Sequence, residues 1–219
     1  MLKKILMGLA ALFFILVGGL VLIMGYVFNN PESVFTAFQS VTDKFMQGQK
    51  YEEPGEFFLQ GISEVSLNAR RVDMVVRTHS GPTLKVLLHG KVPRFEPGPF
   101  IVQMAEKDIL RVDFQEPLAS NWIQMNVNGE EFTQESDSKL TADVYLPQSY
   151  KGKILIKTEE GNVTLRLPED LFYETDLQSV SGKVTNNLKQ KPTSEILPSE
   201  VGHIKIQTQS GAIVVENDN

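Results

Sequence analysis

The stretch "TEEGNVTLRLP", Thr158 to Pro168, decides the fold. Its design returns as "SVSGKVTNNL" at Ser179–Leu188 and as "TQSGAIVVEN" at Thr208–Asn217. "KILIKT" precedes the first copy and "HIKIQT" the last, so each full unit reads as strand, polar turn with glycine, strand. Ile154 and Ile156 share one face, and Val163, Leu165 and Leu167 share another; Ile204, Ile206, Ile213 and Val215 repeat the pattern. Alternation of this kind marks strands with one buried and one wet face. Gly161, Gly182 and Gly211 are the structural turn residues, and glycine is the residue that takes positive φ without steric cost. They lie 21 and 29 residues apart. A period of about 20 residues suits successive coils of a β-solenoid or β-roll. The longer interval then holds "KQKPTSEILPSE", Lys189–Glu200, as an inserted loop. Hairpins in a β-sandwich are the competing arrangement. "THSGPTLKV" at Thr78 is either a degenerate fourth copy or a separate β-turn.

Working outward, β-type runs continue upstream as "VDMVVRT" (Val72–Thr78), "TLKVLLHGKV" (Thr83–Val92), "FIVQM" (Phe100–Met104), "ILRVDF" (Ile109–Phe114) and "LTADVYL" (Leu140–Leu146). Gly, Pro, Asn and Ser clusters separate them, which predicts an all-β domain over residues 56–219. Before it, Asn30-Pro31 reads as a helix start, and Val34, Phe38, Val41 and Phe45 recur on one helical face until Gly48. Residues 29–55 are therefore expected to be a short amphipathic stalk, with "GQKYEEPGE" as its turn-rich end.

Ile5–Phe28 contains 24 residues and no charge. About 20 apolar residues cross a bilayer, whereas a cleavable signal peptide has a shorter apolar region and a small-residue cleavage site. Residues 1–28 are thus expected to be a cytosolic tip and a single-pass transmembrane helix, with residues 5–28 in the lipid bilayer. Lys3 and Lys4 place the N-terminus in the cytoplasm and the β domain outside the cell membrane. The formal charge of −6 leaves −8 once these two lysines are set aside. An acidic domain is a poor binder of phosphate backbones, so nucleic acid is excluded as a partner. The absence of cysteine removes disulfides, thiolate metal ligands and a cysteine nucleophile.

The series "VYLPQSYKGKILIKTEEGNVTLRLP…SVSGKV…IKIQTQSGAIVVEN" resembles the adhesin-like β family of bacterial envelope proteins, whose members repeat T-x-S-G-D-I phrases after a V-x-L-P segment. The similarity covers Val65 to Glu216 and is densest from Val144. This chain departs from the pattern at Glu160, where Ser is usual, and at Asn162, Lys183 and Ala212, where Asp is usual. The resemblance implies a β-solenoid or β-roll, often tethered to a membrane, with a cell-envelope role.

Chemistry-bearing motifs are sparse. His79, His89 and His203 have no metal-type neighbour at a standard spacing. Ser80, Ser181 and Ser210 precede glycines, but outside any G-x-S-x-G context. Glu52-Glu53, Glu130-Glu131 and Glu159-Glu160 are adjacent pairs, which point to opposite faces of a strand rather than across one cleft. No catalytic residue, metal ligand or cofactor is assigned. "PRFEPGPF", Pro93–Phe100, has three prolines and two aromatics. Arg94, Phe95 and Phe100, together with Trp122, form the candidate contact surface, since aromatics and Arg are enriched in interface cores. The expectation is a membrane-anchored scaffold or binding module, not an enzyme, with a protein or polysaccharide partner in the envelope; self-association is left open. The alternatives are a signalling accessory acting on a membrane partner, and an envelope hydrolase.

Overall fold

Alternating sequence is realised as strands in the computed structural model, which describes residues 2–29, 36, 48–94, 96–118, 122–127, 130–135, 139–189, 196 and 200–218. Helix α1 (Leu2–Asn29) precedes β1 (Gln49–Phe58), β2 (Glu64–Ala69), β3 (Asp73–His79), β4 (Thr83–Val92), β5 (Ile101–Glu106), β6 (Ile109–Phe114), β7 (Trp122–Val127) and β8 (Glu130–Glu135). There follow β9 (Leu140–Pro147), β10 (Lys153–Thr158), β11 (Val163–Leu167), β12 (Tyr173–Ser179), β13 (Val184–Asn186), β14 (Gly202–Thr208) and β15 (Ile213–Asn217). The chain forms two compact units, residues 1–47 with 121–135 and residues 48–120 with 136–219.

The first unit contains α1 and the antiparallel hairpin β7–β8, paired from Trp122↔Glu135 to Val127↔Glu130. Helix α1 runs 28 residues. Its side chains are described over residues 13–26 only, and among the described residues no helix is long and apolar enough to cross a membrane. Phe13, Phe14, Ile15 and Leu22 are exposed. The stalk positions Val34, Phe38, Val41 and Phe45 lie outside the described residues; Thr36 is helical.

The second unit is two mixed sheets enclosing one core. One has seven strands, β1-β4-β9-β3-β11-β15-β13, and the other six, β12-β14-β10-β2-β6-β5. The short turns of β2–β3, β10–β11, β12–β13 and β14–β15 each carry the chain from the six-stranded to the seven-stranded sheet. A longer connection from β6 to β9 does the same. These five arches stack in parallel register, with Ile154↔Ile204 and Ile154↔Val65 in one sheet, and Val163↔Ile213 and Val163↔Met74 in the other. Inward residues of the two sheets, including Leu67, Ile156 and Ile206 against Val76, Leu165 and Val215, are fully buried. Each large aliphatic side chain removed from water contributes roughly 1.5–3 kcal/mol, so this seam dominates stability.

Two expectations are corrected. No solenoid closure is present among the described residues, because the arches do not follow one another in chain order: β14–β15, last in sequence, sits between β10–β11 and β12–β13. "GQKYEEPGE" is not a turn-rich boundary but most of β1, an edge strand paired with β4 from Gln49↔Val92 to Phe58↔Thr83. An edge position tolerates Pro54, which has no N–H to donate. Thr78–Gly81 starts the connection from β3 to β4, which stays within the seven-stranded sheet and passes over β9, so the fourth candidate copy is an ordinary turn and not an arch.

The three repeated glycines stack on one another, and the reason differs from the one the sequence offered. None of Gly161, Gly182 and Gly211 has positive φ; among described glycines that conformation belongs to Gly61, Gly90 and Gly98. A Cβ on Gly161 would instead strike the carbonyl of Val72, one on Gly211 that of Gly161, and one on Gly182 that of Gly211. Glycine is required because backbones of adjacent arches touch. A hydroxyl three residues earlier closes each turn. Thr158 Oγ1, Ser179 Oγ and Thr208 Oγ1 accept from the amides of Gly161, Gly182 and Gly211 at 3.0, 2.8 and 2.9 Å. The same hydroxyls donate to the next arch, at Arg70 O (3.0 Å), Gly211 O (3.2 Å) and Glu159 O (3.3 Å). Thr208 is 5% exposed, so its hydroxyl has no water to fall back on. Thr208→Val is therefore expected to lower stability by about 1–3 kcal/mol, while Thr208→Ser stays close to the parent protein in the same denaturant melts.

Candidate functional site

Residues that alternate with the core-facing ones cover the outer face of the six-stranded sheet. Parallel register turns them into rows across five strands. The first row is Ile109, Glu64, Lys153, His203 and Glu174; the second is Arg111, Ser66, Leu155, Lys205 and Asp176; the third is Asp113, Asn68, Lys157, Gln207 and Gln178. Neighbours within a row stand one strand spacing apart, about 4.8 Å, so each side chain meets its equivalents on either side.

Polar contacts fix the rows. Lys153 Nζ lies 2.9 Å from Glu64, His203 Nδ1 3.1 Å from Glu174 and Lys205 Nζ 2.8 Å from Asp176. Asn68 Nδ2 donates to Asp113 (2.8 Å), and Gln207 Nε2 donates to Gln178 Oε1 (2.9 Å). Asp113 also takes Arg111 Nε at 2.8 Å. The hydrogen bond from Lys205 holds the Asp176 carboxyl below its ordinary pKa, with a further contribution from Gln178. These are exposed pairs, each worth little to folding. Their effect is geometric: they hold charged and amide groups in a fixed lattice on a rigid sheet. Two open grooves cross this face, one of about 660 Å³ reaching Lys157, Gln178 and Gln207, and one of about 380 Å³ between Lys153, His203 and Asp176.

The proline-rich loop behaves differently from the expectation. Phe100 is 3% exposed and belongs to the core. It meets Tyr51 edge-on, with ring centroids 5.2 Å apart, and its amide donates to Glu53 at 2.8 Å. An aromatic next to prolines and glycine looked exposed in sequence, but β5 needs an inward anchor where it closes the end of the stack. Arg94 is exposed. Phe95 and the side chain of Trp122 lie outside the described residues.

Other candidate groups are placed by structure. His79 accepts the Gly81 amide at Nδ1 (3.2 Å) and lies 2.7 Å from Thr83 O through Nε2, which clamps the β3–β4 turn with Nε2 as the protonated nitrogen. His89 Nε2 lies 3.0 Å from Asp143. Ser181 and Ser210 hydroxyls donate to Gln209 O and Glu159 O within the turn ladder. Glu52 pairs with Lys50 (2.7 Å) and Glu159 with Arg70 (3.1 Å). Among the described residues no group of three His, Cys, Asp or Glu side chains could hold a metal ion. Sequence reasoning missed the rows because they exist only once separate arches are in register. The signal available for them was the pair of outward polar positions shared by "KILIKT" and "HIKIQT", the first and fifth of each phrase.

No family model and no curated protein matches the sequence. Among solved structures, a "putative cell adhesion protein" from Clostridium sporogenes is 13% identical, with 78% of this chain and 100% of that chain covered and a TM-score of 0.38. A "putative adhesin" from Bacteroides fragilis is 11% identical, with 78% and 99% covered and a TM-score of 0.26. Likeness at this level does not bear on function.

Proposed function

We propose that the chain is a membrane-tethered binding module of the cell envelope, without catalytic activity, which presents the outer face of its six-stranded sheet to a protein or polysaccharide partner. The observation that carries this reading is the lattice itself: three registered rows in which charged and amide side chains predominate, interrupted by Ile109, Ser66 and Leu155, and tied to each other rather than converging on an enclosed cleft. A flat array of spaced polar groups on a stiff support suits a long repetitive or extended surface, and complementary charge gives orientation and specificity. Tethering is supported by the uncharged run Ile5–Phe28, and an exterior β domain by Lys3 and Lys4.

Protease added to intact cells is expected to digest the β domain and leave an N-terminal membrane fragment. Survival of the domain, while external control proteins are cut, would overturn the placement. A photoreactive residue at Lys157 is expected to capture a partner, and one at Thr164 on the other sheet is not. Equal capture at both positions would remove the assignment of the face.

A further inference from the structure

The two ends of the stack are unlike. At one end, β5 and the pair β4–β1 close the core with Phe57, Val92 and Phe100, all under a tenth exposed. At the other, both sheets stop at the same arch: β12 ends one sheet and β13 the other, and among the described residues no strand pairs their outer edges. Among the described residues nothing further covers the core there. Val184 occupies the same register as Ile213, which is fully buried, yet it is 41% exposed, with no further arch beside it among the described residues. Val180, in the connecting turn, is 86% exposed. Leu177, opposite the fully buried Ile206, is only partly covered.

The edge also carries a charge pattern. Glu174 and Asp176 point to the outer face at alternate positions, with side chains 75% and 51% exposed. On its inner side β12 already shows which sequence it matches: Glu174 faces His203, Asp176 faces Lys205, and Gln178 faces Gln207. The inner neighbour thus reads basic-apolar-basic-apolar-amide, "HIKIQ". An added strand of the same type would place its cations against the free side of the two carboxylates. It would also place its apolar residues over Leu177 and Val184. A second copy of this chain presenting the same edge would set carboxylate against carboxylate, a standard guard against edge-to-edge association.

We propose that the outer edge of β12 is a docking site for an extended segment of a partner protein carrying Lys, Arg or His at alternate positions with aliphatic residues between them. The segment adds a strand to the six-stranded sheet. Main-chain hydrogen bonds supply affinity and the two carboxylates select the sequence. The site is independent of membrane tethering; it borders the outer-face grooves, since Leu177 and Val184 line the larger and Glu174 and Asp176 the smaller.

A labelled synthetic peptide, GHIKIQTQS (the sequence of Gly202–Ser210), titrated against the full chain in detergent is the direct probe. Saturable binding is expected, weakened by salt. The Glu174→Gln/Asp176→Asn variant is expected to bind about five- to tenfold more weakly, as two lost exposed ion pairs imply, with its circular dichroism and melting unchanged. Peptides N-methylated at alternate amides separate strand addition from plain charge attraction. Methylation in one phase blocks the edge facing β12 and abolishes binding, and in the other phase leaves it. No saturable binding, equal binding by the neutralised variant, or equal binding by both methylated peptides overturns the proposal. So does concentration-dependent dimerisation of the chain that the peptide does not compete away, since that places a second copy at the edge.

Discussion

Gly211→Ala is expected to destabilise the β domain by about 3–5 kcal/mol, enough to leave a marginal domain largely unfolded at growth temperature. The added methyl would overlap the Gly161 carbonyl oxygen, lie 2.7 Å from its carbonyl carbon, and crowd Thr208 Oγ1 at 2.9 Å. Relief requires two arches to move apart. That breaks the hydrogen bonds from Gln209 and Ser210 to Glu159 O (3.1 and 2.8 Å) and opens the aliphatic seam beneath. Gly61→Ala is the control. Gly61 has φ +79° with nothing within 4 Å of the new methyl, so only backbone strain of about 1–2 kcal/mol is expected. Urea melts of both variants distinguish close approach from conformational freedom. Equal losses would show that the ladder of glycines is not a steric device.

Glu53→Ala carries the second large effect, about 2–4 kcal/mol. One carboxylate takes the Tyr51 hydroxyl at 2.6 Å, the Phe100 amide at 2.8 Å and the Ile101 amide at 3.2 Å. Three donors at the closed end of the stack depend on it. The Tyr51 hydroxyl is held well above its ordinary pKa by burial first and by Glu53 second, so it stays a donor throughout the physiological range. Removing the carboxylate strands the two amides in a part-buried region where Phe100 anchors β5. Glu53→Gln retains one carbonyl acceptor and should lose less than half as much. Hydrogen exchange at the Phe100 and Ile101 amides, alongside melts, checks the cause. A Glu53→Ala protein within about 0.5 kcal/mol of the parent would show the contact to be incidental.

Strand identity was legible wherever one face was fully buried. Thr83–Val92, Ile109–Phe114 and Lys153–Thr158 were read to the residue, because an apolar residue recurs at almost every inward position, even though Leu87 and Leu155 are apolar on the outer face as well. The equivalence of Gly161, Gly182 and Gly211 was legible too, since the turns repeat a local phrase. Tyr173–Ser179 was not: an edge strand over an open core has only Tyr173 and Leu177 as large inward side chains, so its period is faint. Gln49–Phe58 was hidden by Pro54 and four acidic or glycine positions that only an edge permits. Spatial order was beyond reach. "KILIKT" and "HIKIQT" have the same inward faces, so either could neighbour the same partner, and the choice lies in connections such as residues 187–201. The role of each glycine needed the neighbouring backbone, which a single unit cannot reveal. Phe100 was misplaced because local composition speaks of turns, whereas its position depends on the middle of β1, forty-seven residues earlier at Glu53.

The placement of β14–β15 has a consequence for biogenesis. β14–β15, synthesised after the other described strands, is a wedge between β10–β11 and β12–β13, so those two arches have no finished surface to close on until it arrives. Deleting residues 202–217 would not shorten the stack from one tip; it would excise a middle slab and leave β10 and β12 facing a gap. A β domain emerging N-terminus first therefore stays incompletely folded until β14–β15 is delivered, which makes late cooperative closure, rather than stepwise growth, the natural route to its native state.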